Sequence, residues 1–176
     1  MLYPNPDFDQ IELDVLRTYP HVTDEKTKKK LMQQLRSVLI AFLRRNAKIG
    51  YFQGMNFLVA HLLQQMKQEE YAFWTLCQIV EHYLPLDYFS NFFGVSVDQR
   101  VLDWYIKKMF PDLAAHFENI DFSVEMLSMS WFVQLLVNKM PLDTVNLIWD
   151  MFLVEDIRVI FRAVLTAFAR VHDQCF

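Results

Sequence analysis

Apolar residues recur along this chain with the 3.6-residue period of an α-helix, and this periodicity constrains the fold more than any other feature. One example is the run Leu35, Val38, Leu39, Phe42 and Leu43. No long stretch alternates apolar and polar residues with the period of two that a half-buried strand requires. We therefore expect an all-α, single-domain chain of about eight or nine helices, with no internal repeat or linker.

The size and charge of the chain limit the classes of protein it can belong to. Its 176 residues suit one domain with a sizeable core, and a hydrophobic share of 53% argues against disorder. The formal net charge is −4, whereas a general nucleic-acid binder needs a basic surface. We therefore expect a globular protein without a nucleic-acid partner.

Targeting and redox features favour the cytoplasm. No apolar run approaches the roughly 18 residues that span a bilayer, and the first residues lack the basic and apolar regions of a signal peptide. The two cysteines, Cys77 and Cys175, are too few for a disulfide framework. The sequence predicts a soluble cytoplasmic protein with no direct membrane insertion, and a buried thiol at Cys77.

Prolines and capping residues predict where the helices begin and end. Residues 1–9 should be irregular, and a short helix over 11–18 should end before Pro20. Thr23 is the expected N-cap of a helix that runs to about Asn46, and Gly94 is the expected C-cap of a short helix or turn. Further helices are expected over 55–66, 69–84, 97–109, 111–117, 141–154 and 156–171, with a strongly apolar central segment over 125–139.

For two of these helices, the periodicity also predicts which side chains share one face. In the helix over 97–109, one side should collect Val101, Leu102, Tyr105 and Met109. In the helix over 141–154, Leu142 should point inward together with Trp149.

A short segment bracketed by glycines, Gly50-Tyr51-Phe52-Gln53-Gly54-Met55-Asn56, is the first candidate site. The chain has only 3 glycines, and glycine is used where the backbone needs positive φ or a close approach. Because an amphipathic helix follows, Gln53 should sit on a rigid loop, where its amide could position a water or a phosphate. Plain turn chemistry is the alternative, and the spacing alone favours it.

Asp14 and Arg17 form the second candidate site, since they lie three residues apart on one face of a helix. A surface ion pair of little energetic value is one interpretation, and spacing alone favours it. In the other interpretation, Asp14 holds the Arg17 guanidinium in one orientation, as a donor towards phosphate oxygens.

Other kinds of site find little support in the sequence. The five histidines are scattered, without the i, i+4 spacing of a helical zinc motif. No His partner is evident for a cysteine nucleophile, and no phosphate-binding loop or dinucleotide fingerprint is present. We expect no metal site and no cofactor of the chain's own, and a structural role for His61.

The two candidate sites occur in a recognisable order. The segment Ile11-x-x-Asp14-x-x-Arg17-Thr18, followed by Tyr51-x-Gln53-Gly54-Met55-Asn56, resembles the TBC domain of Rab GTPase-activating proteins. Further matches follow at Ser130-Trp131-Phe132, Met140-Pro141-Leu142, Trp149-Asp150-x-Phe152 and Ile160-Phe161-Arg162-Ala163. The resemblance covers nearly the entire chain.

The resemblance implies a mechanism in which two residues are supplied to a partner. Arg17 matches the family's catalytic arginine, which would stabilise charge on the phosphates of GTP bound to a Rab. Gln53 matches the catalytic glutamine, which would orient the attacking water. The GTP and Mg²⁺ would belong to the Rab in its GTP-bound form, and the chain would be an activator and not a hydrolase.

The same resemblance assigns supporting roles. Asp14 and Thr18 belong to the arginine motif, and Asp14 would orient Arg17. Tyr51 and Asn56 would shape the glutamine loop, and Gly54 would let it approach the partner. Asp150 is a signature position for which a buried polar support is the preferred interpretation, while Trp149 and Trp131 are expected to be core residues.

The chain departs from the family pattern at a few places. Asp156 stands where a glycine is common, and Leu136 where a phenylalanine is frequent, and both look like tolerated variations. Only ten residues precede Ile11, and the chain stops at Phe176, whereas the family usually has further helices at both ends. We therefore expect residues 1–176 to form a TBC domain truncated at both ends.

Two alternatives remain beside a Rab GTPase activator that is recruited peripherally to endomembranes in vesicle trafficking. One is a catalytically silent TBC-like scaffold that binds a GTPase or another protein. The other is a purely structural helical domain, which would not need an arginine and a glutamine on short segments outside the core.

Overall fold

The computed structural model describes residues 6–85 and 87–175, and within these residues the fold is all-α, as predicted. The described helices are α1 (Pro6–Thr18), α2 (Glu25–Arg45), α3 (Met55–Met66), α4 (Glu69–Gln78), α5 (Phe93–Met109), α6 (Pro111–Asn119), α7 (Val124–Val133), α8 (Leu142–Glu155) and α9 (Arg158–Cys175). A π-helical turn, Ile79–Tyr83, extends α4, and a 3₁₀ turn, Ser90–Phe92, precedes α5. The chain divides into two compact units between Ser90 and Asn91.

The first unit contains α1 to α4, and its core is built from the apolar stripes that the periodicity predicted. Fully buried side chains come from each helix: Ile11 and Val15, Leu35, Leu39 and Phe42, Met55, Leu58 and Leu62, and Leu76. Helix α1 contacts both α2 and α3. The helix with Arg17 is therefore fixed against the helix that follows the glycine loop.

The beginning of α1 differs from the prediction. Pro6 is the first helical residue, so the helix includes part of the segment 1–9 that was predicted to be irregular. Proline is compatible with this position because its missing N–H would have no partner in the first turn. Pro4, which supported that prediction, lies outside the described residues.

The N-cap of α2 is Asp24 and not Thr23. The Asp24 carboxylate accepts a hydrogen bond from the backbone N–H of Thr27 at 2.8 Å. An Asp or a Thr can make this bond, so the sequence left the choice between neighbouring residues open, and the prediction was one residue early.

The second unit contains α5 to α9. Gln99 of α5 is buried and donates to the backbone carbonyl of Glu125 and, at 3.3 Å, to Ser128 Oγ of α7. Helix α5 begins at Phe93, so Gly94 lies in its first turn, and the prediction of a C-cap at Gly94 was wrong. A glycine near a boundary fits either the end of one helix or the start of the next.

The outward face of α5 is more apolar than expected. Leu102 and Ile106 are buried, but Val101, Tyr105 and Met109, which were grouped with Leu102, are 38%, 37% and 51% exposed. In α8, Leu142 was predicted to point inward and is 43% exposed. An apolar residue at the edge of a stripe can lie on either side of it, since much of a folded protein's surface is apolar.

The apolar segment 125–139 does not form one continuous helix. Helix α7 ends at Val133, and Leu135 and Leu136 follow with φ values of 45° and 67°. Both leucines are fully buried, and the Leu135 carbonyl accepts a hydrogen bond from Nε1 of Trp149 at 3.0 Å. The segment is part of the core, as predicted, but as a turn within it.

Candidate functional site

Helix α1 places Arg17 and Asp14 on one face. Nη2 of Arg17 lies 2.5 Å from Oδ1 of Asp14, and the arginine side chain is 51% exposed while the aspartate side chain is completely buried. The pair therefore differs from an ordinary surface ion pair, in which both groups are solvated and contribute little. The buried carboxylate therefore contacts the guanidinium of an arginine whose side chain is half exposed.

Asp14 is held by further donors. Nε2 of Gln10 donates to its Oδ1 at 2.9 Å, and the hydroxyl of Tyr51 donates to its Oδ2 at 2.5 Å. Burial raises the pKa of Tyr51 well above its ordinary value, and the Asp14 carboxylate raises it further. Because a buried carboxylate needs donors on both oxygens, this set of partners explains how Asp14 is tolerated inside the fold.

A second series of hydrogen bonds runs parallel to the first. The hydroxyl of Thr18 donates to the backbone carbonyl of Asp14 at 2.6 Å, and Nδ2 of Asn56 donates to the Thr18 oxygen at 2.9 Å. Oδ1 of Asn56 in turn accepts from the backbone N–H of Gly54 at 3.2 Å. The arginine motif is therefore connected to both sides of Gln53 in the sequence, through Tyr51 and through Gly54.

The glycine loop has the backbone conformation that its glycines allow. Gly50 and Gly54 have φ values of 74° and 113°, in the left-handed region that other residues rarely adopt. Between them, Phe52 is 5% exposed and its ring stacks on Phe89 at a centroid distance of 3.9 Å. Gln53 is exposed on this loop.

Asp150 does not behave as a buried polar support. It lies on the exposed side of α8 in the second unit, so that interpretation was wrong. Its neighbour Trp149 is 4% exposed, which confirms the prediction of a core residue, whereas Trp131 is only half-buried. In a helix, adjacent residues point about 100° apart, so a buried Trp149 is compatible with an exposed Asp150.

Two other titratable groups are buried. His61 lies in the core of the first unit, where burial lowers its pKa. Cys77 is 3% exposed, and burial raises the pKa of its thiol to about 12. Both observations agree with the predicted structural roles.

The described residues, 6–85 and 87–175, also bear on metal binding and membrane insertion. Among these residues, no group of His, Cys, Asp and Glu side chains is placed to hold a metal ion. None of the described helices combines the length and apolarity that crossing a membrane demands.

Sequence reasoning missed two residues of this site. Asp7 accepts a hydrogen bond from the backbone N–H of Tyr51, and Gln10 donates to Asp14. Asp7 lies seven residues and Gln10 four residues before Asp14 on α1, and therefore on the same face of the helix. A longer helix in the prediction would have placed all three polar residues beside each other.

Two exposed leucines lie close to Arg17 in the sequence of α1. Leu13 and Leu16 on α1 are 59% and 60% exposed. Exposed leucines are common singly, but here two stand three residues apart on a helix that also presents Arg17.

The family comparison covers the full sequence. The model of the Rab-GTPase-TBC domain family matches residues 1–176. TBC1 domain family member 2B of Mus musculus is 42% identical over 168 residues, which is 93% of this chain and 17% of that protein. Growth hormone-regulated TBC protein 1 of Xenopus tropicalis is 34% identical over 160 residues, 90% of this chain and 47% of that protein. The chain thus spans less than half the length of these relatives.

A solved structure supports the same relationship. The flagellar RabGAP TBC domain of Chlamydomonas superposes with a TM-score of 0.85 at 30% sequence identity. The superposition covers 95% of this chain and 56% of that one. The helical fold described above is therefore that of part of a solved TBC domain.

Proposed function

This chain belongs to the Rab-GTPase-TBC domain family, and we propose that it accelerates GTP hydrolysis on a Rab-type GTPase by supplying Arg17 and Gln53 to the partner's active site. The observation that carries this proposal is the buried Asp14 carboxylate, which contacts Arg17 and Tyr51 at 2.5 Å each. Through it, an exposed arginine and the loop of an exposed glutamine belong to one hydrogen-bonded unit.

Arg17 would act on the phosphates. Its guanidinium is planar, permanently charged and carries several donors, so it can stabilise charge that develops on phosphate oxygens in the transition state. Pairing with the buried Asp14 limits the orientations of the side chain before the partner arrives. An arginine supplied in trans to a GTPase is worth about 10³ to 10⁵ in rate.

Gln53 would act on the attacking water. A glutamine amide offers one acceptor and two donors, which suits a group that orients a water molecule. Its neighbours fix the loop: Phe52 is buried and Gly54 donates to Asn56 at 3.2 Å. The exposed amide is therefore carried by a backbone with little freedom, which favours positioning in a bimolecular active site.

Leu13 and Leu16 would provide the apolar contact around the arginine. The buried centre of an interface is more apolar than its rim, and arginine is enriched in interfaces; here two exposed leucines accompany an exposed arginine. The partner surface next to the nucleotide contains switch segments that the γ-phosphate orders. Contacts to them would make recognition depend on the GTP-bound state.

The nucleotide chemistry would come from the partner. GTP and Mg²⁺ would be carried by the Rab, and Mg²⁺ bridges the phosphates in enzymes of this type. The chain would act in the cytoplasm, at the membranes where its partner resides.

A hydrolysis assay tests the proposal. Rab-type GTPases loaded with GTP would be mixed singly with the chain, and phosphate release would be followed in a single turnover. We expect one or a few GTPases to be accelerated, Arg17→Ala to remove at least about a thousandfold of the acceleration, and Gln53→Ala to remove most of it.

Matched controls separate catalysis from other losses. Arg44→Ala and Gln64→Ala change exposed residues of the same types on α2 and α3 and should retain activity. If the folded chain binds a GTP-loaded GTPase but no member of the panel hydrolyses faster, the activator proposal is wrong and the scaffold alternative is favoured.

A further inference from the structure

Asp7, in the first turn of α1, contacts the glycine loop at a point distant from Asp14. Its Oδ2 accepts a hydrogen bond from the backbone N–H of Tyr51 at 3.0 Å, across 44 residues of sequence. The bond is charge-assisted, because a carboxylate accepts it, and such bonds are stronger than those between neutral groups.

Gly50 makes room for this contact. A Cβ atom at Gly50 would lie 3.0 Å from Oδ2 of Asp7, closer than side chains normally approach. The φ of Gly50 is also 74°, a conformation that favours glycine, and a side chain here would have to displace the Asp7 carboxylate. The loop is therefore shaped to receive the Asp7 side chain at the Gly50–Tyr51 peptide.

Tyr51 is consequently held at both of its ends. Asp7 binds its backbone N–H, and Asp14 binds its hydroxyl. The two aspartates are seven residues apart on α1, which is about two helical turns or roughly 10 Å. Two hydrogen bonds at this separation fix the orientation of Tyr51 as well as its position. Because Gln53 follows only two residues later, its position depends on that of Tyr51.

We propose that Asp7 is a positioning residue that fixes the loop of Gln53 in the conformation that a GTPase meets. The catalytic consequence of this inference rests on the proposed function. The hydrogen bond by which Asp7 constrains the loop belongs to the chain alone. Without Asp7, the peptide before Tyr51 loses its acceptor, and the loop gains conformations in which Gln53 points elsewhere. Preorganised groups lose rate when their support is removed, even where no contact to the reacting atoms changes.

The test compares Asp7→Ala with Asp7→Asn and with the control Asp9→Ala. Asp7 and Asp9 both lie in the first turn of α1, so either alanine removes one negative charge from the helix N-terminus. Asp9 is exposed, whereas Asp7 is half-buried against the loop. Asp7→Asn keeps a hydrogen-bond acceptor of similar size and should therefore retain part of the hydrogen bond to Tyr51 that Asp7→Ala loses.

The first readout is amide hydrogen exchange in the chain alone. We expect the Tyr51 amide to exchange about tenfold faster or more in Asp7→Ala, with an intermediate value in Asp7→Asn. The exchange rate of the Leu58 amide, in the core helix α3, should stay near the wild-type value in every variant. The exchange rate of the Tyr51 amide should stay near the wild-type value in Asp9→Ala. Equal Tyr51 exchange in Asp7→Ala and Asp9→Ala would overturn the proposal, whether or not any GTPase responds.

The second readout is the rate of GTP hydrolysis with a responsive GTPase. We expect Asp7→Ala to lower kcat about tenfold while KM changes less than twofold, because the loop is misdirected and the docking surface is intact. Unchanged kcat together with faster Tyr51 exchange would reject the positioning role. If the wild-type chain accelerates no GTPase, the proposed function fails, while the exchange experiment still decides whether Asp7 holds the loop.

Discussion

The hydroxyl oxygen of Tyr51 lies 2.5 Å from Oδ2 of Asp14, while Oδ1 of the same carboxylate pairs with Arg17 at 2.5 Å. One buried carboxylate thus serves the arginine of α1 and the loop that carries Gln53. A substitution at Tyr51 should consequently affect both Arg17, through Asp14, and Gln53, through the loop.

Replacement of Tyr51 by Phe should reduce activation and stability together. The ring remains, but Asp14 loses the donor to Oδ2 and becomes a partly unsatisfied buried charge, so we expect a loss of about 1–3 kcal/mol in the free energy of unfolding. Urea unfolding measures this loss, and single-turnover GTP hydrolysis should slow at least tenfold. Tyr71→Phe, at a position that is 53% exposed, is the matched control. Full activity in Tyr51→Phe would show that the hydroxyl does not support the site.

Replacement of Leu13 or Leu16 by Ala should weaken the encounter with the GTPase and spare the chemical step. Both side chains are about 60% exposed, so their removal should leave the fold intact. Losing their apolar area at an interface should raise KM roughly fivefold to thirtyfold, with kcat nearly unchanged. Leu147→Ala on α8, at a residue that is 67% exposed, serves as the control. An unchanged KM in both variants would place the docking surface elsewhere.

Replacement of Asp156 by Gly should relieve backbone strain. Asp156 has φ of 115° and ψ of −167°, a region that is almost restricted to glycine and costs other residues about 1–3 kcal/mol. Its carboxylate also accepts from the Arg158 backbone N–H at 2.9 Å, so Asp156→Gly loses that bond while it gains flexibility.

Asp156→Ala loses the same bond but keeps the strained backbone conformation. The difference in stability between Asp156→Gly and Asp156→Ala therefore measures the free energy of that strain. We expect Asp156→Gly to be about 1–3 kcal/mol more stable than Asp156→Ala by urea unfolding. Equal stabilities would mean that the turn relaxes without cost. An aspartate at this position would then be tolerated in its backbone conformation as well as in its side chain.

Acid should weaken the junction between α2 and the π-helical turn. Glu81 accepts two hydrogen bonds from Arg45, at 2.8 and 3.0 Å, and one from Nδ2 of Asn46 at 2.9 Å. These contacts, and the Arg45 contact most of all, lower the pKa of Glu81 from 4.5 to about 2. A carboxyl group with a lowered pKa in the folded state stabilises the fold above pH 4.5, and this stabilisation is lost as pH falls towards 2.

Urea unfolding at several pH values should therefore give a smaller acid loss for Glu81→Gln than for the wild type. Arg45→Gln should show a similar reduction, because it removes the partner of the same pair. The double variant should add little to either single variant. Identical pH profiles for all four proteins would show that the pair does not contribute.

The sequence was sufficient to predict the helical fold and to single out the two motifs that contain Arg17 and Gln53. The apolar period fixes which faces of α1 to α4 are buried, and the two motifs were identified by residue type and order. The connection between them was not predictable, since the Tyr51–Asp14 hydrogen bond spans 37 residues and depends on how α1 lies beside the loop.

Local choices limited the prediction elsewhere. Asp24 and Thr23 can both cap a helix, and Pro6 fits a first turn as well as an irregular lead-in. The Asp7 contact was missed for that reason, because the expected helix began at Ile11. On α5, Tyr105 and Val101 lie at the edge of the buried stripe, where hydropathy alone does not determine the side.

The turn that ends α7 also restricts which substitutions the core can accept. Leu135 and Leu136 are buried with positive φ, at 45° and 67°. Side chains branched at Cβ clash with the backbone in this region, whereas leucine branches one carbon further out. Leucine and isoleucine have the same atoms and almost the same hydropathy, yet at these two positions they are not interchangeable. The steric tolerance of this part of the core is set by backbone handedness.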